Sequence, residues 1–337
     1  MATIQDVADA VGISTATVSR ALSRPDVVSD ATRKKVLAAV KRLGYAPNSA
    51  AKILRTTRTG KIIVTVPDIS NPFFAKVIRG VEEAAQKAGY AVLLGDTRNR
   101  IESEEQYGDM LSRREADGVI FLGHRLPDNL AKVVAAKKGR APIVNGCEYA
   151  PGMGVSSVHI NNGAAAGDAV GLLHDLGHRR IGVITGPLAS PLSRDRLDGA
   201  RRMARARGIA SGLQIAGGDF SIESGERAAT QILEGGRGVT ALFCFSDDMA
   251  IGALAAIQTL GLNCPRDVSV IGFDDIATAR YTNPALTTIR QPMEQLGAGT
   301  VKLLLDILRG AITRPTIETL PYELVVREST GRNRRQK

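Results

Sequence analysis

The chain has 337 residues, 44% of them apolar and 23% charged, with 44 Lys and Arg against 34 Asp and Glu, a formal charge of +10. That composition excludes wholesale disorder, and the length suits two or three domains. Three scattered cysteines exclude a disulfide framework or a CxxC metal knuckle, and no apolar run nears the ~18 residues of a membrane helix.

The cysteines, Cys147, Cys244 and Cys264, read as small buried side chains. The opening MATIQDVADAVG lacks the basic and apolar stretches of a secretory signal, so the cytoplasm is the expected compartment. The first 60 residues hold ten basic and four acidic groups. Most of the positive excess therefore lies in under a fifth of the chain, the charge pattern of a small nucleic-acid-binding module.

Within that module, Ile4, Val7, Ala8 and Val11 follow the spacing of one apolar helix face. Gly12 ends the helix, Ser14 can cap a second from Thr15 to about Leu22, and Val18 and Leu22 face inward. Thr15, Ala16, Thr17, Ser19 and Arg20 are then the candidate reading residues of a helix-turn-helix, whose second helix presents its N-terminal part to base edges. Arg20 suits a guanine edge; Ala16 either touches a thymine methyl or is a spacer. A third helix from Ser29 or Asp30 is expected to bury Val36, Leu37, Val40 and Leu43 and to close at Gly44. Residues 49–55 have helical propensity but form a segment too short to be stable alone. Leu54 between Lys52 and Arg55 suits an apolar wedge in a minor groove, where Asn48 and Ala51 belong to the same segment.

From Lys61 the pattern changes. Strands are expected at 62–66, 91–94, 118–122 and 143–145, and helices at 72–88 and 102–113. A second series restarts near residue 162, with strands at 181–184, 242–245, 268–273 and 287–290. Its helices are expected at 162–176, 195–206, 223–233, 249–260 and 294–308. This alternation implies two parallel-sheet lobes with helices on both faces. Ligands of such sheets bind beyond the C-terminal strand ends. That singles out 68–74, 186–196, 246–248 and 274–275, where carboxylates, arginine and aromatics suit a small polyol or sugar-like ligand.

The stretches DVADAVGISTATVSRAL, GYAPNSAAKILR, TVPDISNPFFAKVIRGVEEAAQKAGY and FCFSDDMAIGAL resemble the lactose/galactose-repressor family of bacterial transcription regulators. The resemblance runs from about residue 3 to 330, and GPLASPLSRDRLDG resembles the family's cytidine-responsive branch. It implies an all-α helix-turn-helix head (1–46) and a hinge helix (47–60). These join an α/β periplasmic-binding-protein-like core (61–331) of two doubly wound parallel-sheet lobes. Both lobes are then discontinuous, 61–160 with 291–321 and 161–290 with 322–331. The basic tail 332–337 is expected to be disordered, with a second DNA contact as the alternative.

The resemblance further implies a homodimer on double-stranded operator DNA, with Leu54 intercalating and Asn48, Ala51, Lys52 and Arg55 beside it. It implies an effector held by Phe73, Phe74, Arg196, Phe220, Ser246, Asp247 and Asp274. Ser246 and Asp247 have a competing reading as the cap of the following helix, Phe220 one as a core aromatic, and Asp275 one in a loop turn. The purine-responsive pattern has a basic residue where Ser190 stands and a threonine where Leu192 stands. A nucleoside other than a purine is the expected effector, with a pentose or other sugar as the alternative. Asn161 stands where the family usually has Asp.

An enzyme reading finds no P-loop, no dinucleotide fingerprint, no nucleophile elbow and no HExxH. His174 and His178 are separated by Gly177 and read as surface or capping residues rather than a metal pair. No cofactor, metal or membrane is expected. A periplasmic sugar receptor, the remaining alternative, does not explain the basic head.

Overall fold

The computed structural model describes residues 2–23, 25–45, 58–137, 139–149, 152–236 and 238–334. It divides into two compact units, Met1–Thr59 and Gly60–Lys337.

Among its described residues, the first unit has three α-helices, α1 (Ile4–Val11), α2 (Thr15–Ser23) and α3 (Asp30–Leu43). Thr3 caps α1 reciprocally: its Oγ1 accepts from the Asp6 N–H at 3.3 Å while its own N–H donates to Asp6 Oδ2 at 2.8 Å. The Thr3 N–H holds the Asp6 carboxyl below its usual range. Gly12 takes φ 69°, the left-handed turn that lets α2 start, and Ser14 Oγ accepts from the Thr17 N–H at 3.2 Å. The core is small: Val7, Ala8, Val18, Ala21, Val36 and Ala39, with Leu22, Val40 and Tyr45 half-buried around it.

One expectation fails here. Leu37 and Leu43 are exposed, and Ala39 takes the inward place. Leu37 lies about 100° around the helix from Val36, so the two cannot share a narrow stripe. The hinge positions Asn48, Ala51, Lys52, Leu54 and Arg55 lie outside the described residues.

The second unit begins with β1 (Lys61–Val66), α4 (Pro72–Lys87), β2 (Ala91–Asp96), α5 (Ile101–Ser112) and β3 (Gly118–Phe121). It continues through α6 (Asp128–Lys137), β4 (Ile143–Gly146) and β5 (Ser156–Ile160). Then follow α7 (Asn162–Asp175), β6 (Ile181–Thr185), α8 (Pro191–Ala206), β7 (Leu213–Gly217), α9 (Ile222–Glu234), β8 (Ala241–Cys244), α10 (Asp247–Thr259), β9 (Ser269–Asp274) and β10 (Thr287–Arg290). The chain ends with α11 (Met293–Leu308), β11 (Ile317–Leu320) and β12 (Glu323–Val325).

The first sheet is ordered β11-β5-β4-β3-β1-β2 and the second β12-β10-β9-β8-β6-β7. All pairings are parallel except β10 with β12. Each lobe thus recruits one strand from the end of the chain. Both faces of the first sheet are covered: Ile62 and Val64 join one core cluster, while Ile63 between them joins another. Among the described residues, no helix is long and apolar enough to cross a membrane.

Helix pairs in the core approach closely through glycine. Gly80 of α4 lies against the Glu294 carbonyl, and Gly297 of α11 against the Val77 carbonyl, where a Cβ would collide with backbone. Gly163 with Gly199 joins α7 to α8, and Gly225 with Gly252 joins α9 to α10, in the same way.

The sequence reading missed α6, β5, β7, β11 and β12, and began α8 four residues late because Pro191 fills its first turn. His178 is buried rather than superficial, bonded to Thr240 Oγ1 at 2.9 Å and the Gly331 carbonyl at 3.0 Å. Asn333 is docked, its N–H donating to the Leu176 carbonyl at 2.9 Å, so the expected disorder does not extend over Arg332–Arg334.

Candidate functional site

On α2, Ala16 and Arg20 are exposed, and Thr15, Thr17 and Ser19 are half-buried beside them. Arg20 Nε donates to the Ala16 carbonyl at 3.2 Å, which lays the side chain along the helix. Thr17 Oγ1 is 3.0 Å from Ser14 Oγ, so Thr17 also serves the start of the helix. On α3, Arg33, Lys34, Lys35, Lys41 and Arg42 are all exposed. A short helix with a small residue and a cation outward, on a cation-rich bundle, can enter a major groove while the neighbouring cations meet phosphates.

In the second unit a polar cluster gathers at the strand ends of the second lobe. Arg196, in the second turn of α8, is 3% exposed. Its guanidinium carbon lies 3.5 Å from the centroid of the Phe273 ring. Its Nε donates to Asn162 Oδ1 at 2.8 Å and its Nη1 to the Phe245 carbonyl. Burial lowers its pKa to about 10, which leaves it charged at neutral pH. Asn161 caps α7 by accepting from the Ala164 N–H at 2.9 Å, so the neighbouring Asn162, rather than a carboxylate, meets the arginine.

Asp274 ends β9 with φ 120°, a backbone region that non-glycine residues rarely adopt and that clusters at functional sites. Its Oδ1 accepts from Gln291 Nε2 at 2.7 Å. Burial pushes its carboxyl up to about 7, against the pull of Arg196. An arginine and a carboxyl brought together out of water can bind a small ligand with vicinal hydroxyls.

The other residues singled out from the sequence divide. Asp247 is fully buried with both oxygens engaged, Oδ1 by Thr288 Oγ1 at 2.6 Å and Oδ2 by the Ile276 N–H at 2.8 Å. It ties the loop after β9 and strand β10 to α10. Ser246 caps α10, accepting from the Met249 N–H at 3.2 Å. Phe73 is buried in the core, with the half-buried Phe74 edge-on against it at 5.2 Å. Phe220, half-buried at φ 74°, lays its ring where a Cβ on Gly186 would stand, over the loop that leads into α8. Asp275 does more than shape a turn: it pairs with Arg290 at 2.7 Å and Arg327 at 2.6 Å, linking β10 to the final segment.

Glu148 was not singled out from the sequence. It is 6% exposed, follows β4 through Cys147 at φ 69°, and accepts from Ser190 Oγ with both oxygens, at 3.0 and 3.2 Å. Burial pushes its carboxyl up to about 7, against the hydrogen bond from Ser190, the charge of Arg196 and the Leu192 N–H. The strand-end rule applied to Ile143–Gly146 would have found it. Among the described residues, no group of three or more His, Cys, Asp or Glu side chains could hold a metal.

Residues 3–48 match the family described as bacterial regulatory proteins, lacI family, and residues 170–330 match a periplasmic binding protein-like domain. The chain is 41% identical over 330 residues to the HTH-type transcriptional repressor CytR of Escherichia coli (strain K12), covering 98% of this chain and 96% of that one. It is 37% identical over 334 residues to the repressor PurR of Proteus mirabilis (strain HI4320), covering 98% and 97%. Among solved structures, the lac repressor dimer bound to operator and the anti-inducer ONPF has a TM-score of 0.88 at 29% identity over 98% of this chain and 99% of that one. A LacI-family regulator from Enterococcus faecium with bound ribose has a TM-score of 0.71 at 28% identity, covering 81% and 99%. A helix-turn-helix head, two lobes with matching parallel-sheet topology and repressor relatives over nearly the whole length lead to one conclusion: the chain belongs to the lacI family of bacterial regulatory proteins, DNA-binding transcriptional repressors.

Proposed function

We propose that this repressor binds a near-palindromic operator as a homodimer and that a nucleoside held between the lobes of its core sets its affinity. Thr15, Ala16, Thr17, Ser19 and Arg20 read the major groove of each half-site. Asn48, Ala51, Lys52, Leu54 and Arg55 form a hinge that orders in the minor groove, with Leu54 as the wedge. Exposed apolar side chains support a self-association face: Leu94 on edge strand β2, Ile215 on edge strand β7, and Tyr281.

The observation that carries the effector reading is the buried Arg196–Asp274 cluster, in which a cation and a raised carboxyl stand at the C-terminal ends of parallel strands. Phe220, after β7 of the same lobe, and Phe74, after β1 of the first lobe, supply rings. Asp247 and Ser246 hold the frame rather than the ligand. A nucleoside is favoured by the likeness to a repressor named CytR and by Ser190 and Leu192 in the loop before Arg196; a pentose is the second reading, supported by the ribose-bound relative. Closure around the ligand shifts the hinge equilibrium, a coupling of typically ~1–3 kcal/mol.

Thermal-shift titration against a panel of nucleosides and pentoses, repeated with Asp274→Ala, tests the site. A nucleoside should raise the melting temperature of the wild type and leave the variant unchanged. A shift that survives the substitution undiminished places the effector elsewhere.

A further inference from the structure

The second lobe carries Arg196 and Asp274 towards the C-terminal ends of its strands, and a separate cluster of charge at the opposite end. Gly331 is pinned there: its N–H donates to Ser269 Oγ at 3.1 Å and its carbonyl accepts from His178 Nε2 at 3.0 Å. Asn333 is pinned two residues on, its N–H donating to the Leu176 carbonyl at 2.9 Å and its Nδ2 to the Gly177 carbonyl at 3.2 Å. With alternate residues anchored inward, Arg332 and Arg334 are left exposed. Four further exposed arginines border this segment. Arg179 and Arg180 follow His178, Arg207 pairs with Asp175 at 3.2 Å, and Arg266 follows Pro265, whose ring lies against Gly331. Two carboxylates bond into the patch, Asp175 and Asp267, and each is already held by an arginine. Arg179 also donates to the His174 carbonyl at 2.8 Å, which satisfies the end of α7. Among the described residues, neither Arg332 nor Arg334 has an ion-pair partner.

We propose that this end of the second lobe is a second DNA-binding surface, which holds the phosphate backbone of another duplex segment. It is independent of the nucleoside reading, because the patch lies at the N-terminal ends of β6, β8 and β9 and the effector cluster at the other ends. All six cations are arginines, whose planar guanidinium forks hold phosphate oxygens in pairs. Anchoring at Gly331 and Asn333 orders the backbone in advance, so Arg332 and Arg334 lose less freedom on binding. None of the large apolar side chains exposed among the described residues lies in the segments that form the patch. A protein interface is built round an apolar core, whereas a nucleic-acid backbone is held by charge and hydrogen bonds. A repressor seated on DNA by its heads thereby captures a second stretch of duplex, whatever its sequence.

A bridging assay on the full chain tests this. The protein is loaded on an immobilised duplex of scrambled sequence, a fluorescent duplex of the same sequence is added, and capture is read per protein retained. The wild type should capture the second duplex, and less of it as salt rises from about 50 to about 200 mM. Arg332→Ala combined with Arg334→Ala should bind the second duplex roughly tenfold more weakly, with a salt slope shallower by about 2, and should melt at the wild-type temperature. Lys132→Ala combined with Lys137→Ala, which removes two exposed cations from α6 of the first lobe, should capture as the wild type does. No capture by the wild type, or equal capture by the arginine variant, overturns the proposal. An equal loss in the lysine variant also overturns it, since capture would then follow net charge rather than this surface. Polyglutamate serves as a competitor: if it displaces the fluorescent duplex as well as unlabelled duplex does at equal charge, the surface suits an acidic protein and the phosphate reading falls.

Discussion

The head and the core build their working surfaces in opposite ways. The proposed reading face of the head comes from a single turn and a half of α2, where Thr15, Ala16, Thr17, Ser19 and Arg20 are exposed or half-buried on a bundle whose core is six small side chains. The proposed effector site of the core gathers Glu148, Asn162, Ser190, Arg196, Asp274 and Gln291 from strand ends, loops and the N-terminal turns of helices spread over about 140 residues, all six of them buried. A surface built locally can lose a side chain without losing the fold. One built from buried polar groups cannot, because every member is another member's hydrogen-bond partner.

Four substitutions or conditions sharpen that difference. Arg196→Ala should act hardest: it strands Asn162 Oδ1 and the Phe245 carbonyl and bares the Phe273 ring. A loss of about 3–5 kcal/mol is expected from chemical denaturation of the core, together with effector binding. A loss under 1 kcal/mol would mean that the cluster is not a cooperative unit.

Next comes pH. The Glu148 carboxyl rises from 4.5 to about 7, and that of Asp274 from 3.8 to about 7. The folded state therefore holds protons that the unfolded chain has released. The stabilisation is fully present below about pH 4, and it is lost as pH rises through about 7. For Glu148 the difference amounts to about 3 kcal/mol. Denaturation midpoints at pH 5 and pH 8 should show it, and Glu148→Gln should flatten the slope.

In the head the expected effects are smaller and separable. Arg20→Ala should cost about 1–3 kcal/mol of affinity for a specific operator and relax selectivity at one base pair. Its melting curve should match the wild type. Gel-shift titrations against specific and scrambled duplexes distinguish this from a general phosphate contact, which would weaken both alike. Ser14→Ala removes the hydroxyl at the start of α2 and should cost about 1 kcal/mol in head stability, read by calorimetry.

The same contrast explains what could be read in advance. Helix boundaries in the head followed from Gly12, Ser14 and Gly44, whose local chemistry is decided within a few residues. The error at Leu37 came from counting apolar residues rather than following their angle, whereas Leu43 shares the face of Val36 but is the last residue of α3 and is left exposed there. In the core, β5, β7, β11 and β12 escaped because each is short and its burial is decided by neighbours far away in the chain: β11 pairs with β5 across some 160 residues. Arg196 and Asp274 were legible as strand-end residues. The structural duty of Asp247 was not, because its partners Ile276 and Thr288 are set by how the loop after β9 folds back.

The sequence alone determined the two successive series of alternating strands and helices, the basic head and the family, since these depend on periodicity, capping and motif, all local properties of a chain. Only the tertiary structure decided which carboxylates are free and which are occupied, and that Glu148 reaches across to Ser190. Hydrogen-bond satisfaction and desolvation depend on which distant groups come together, and no local pattern encodes that.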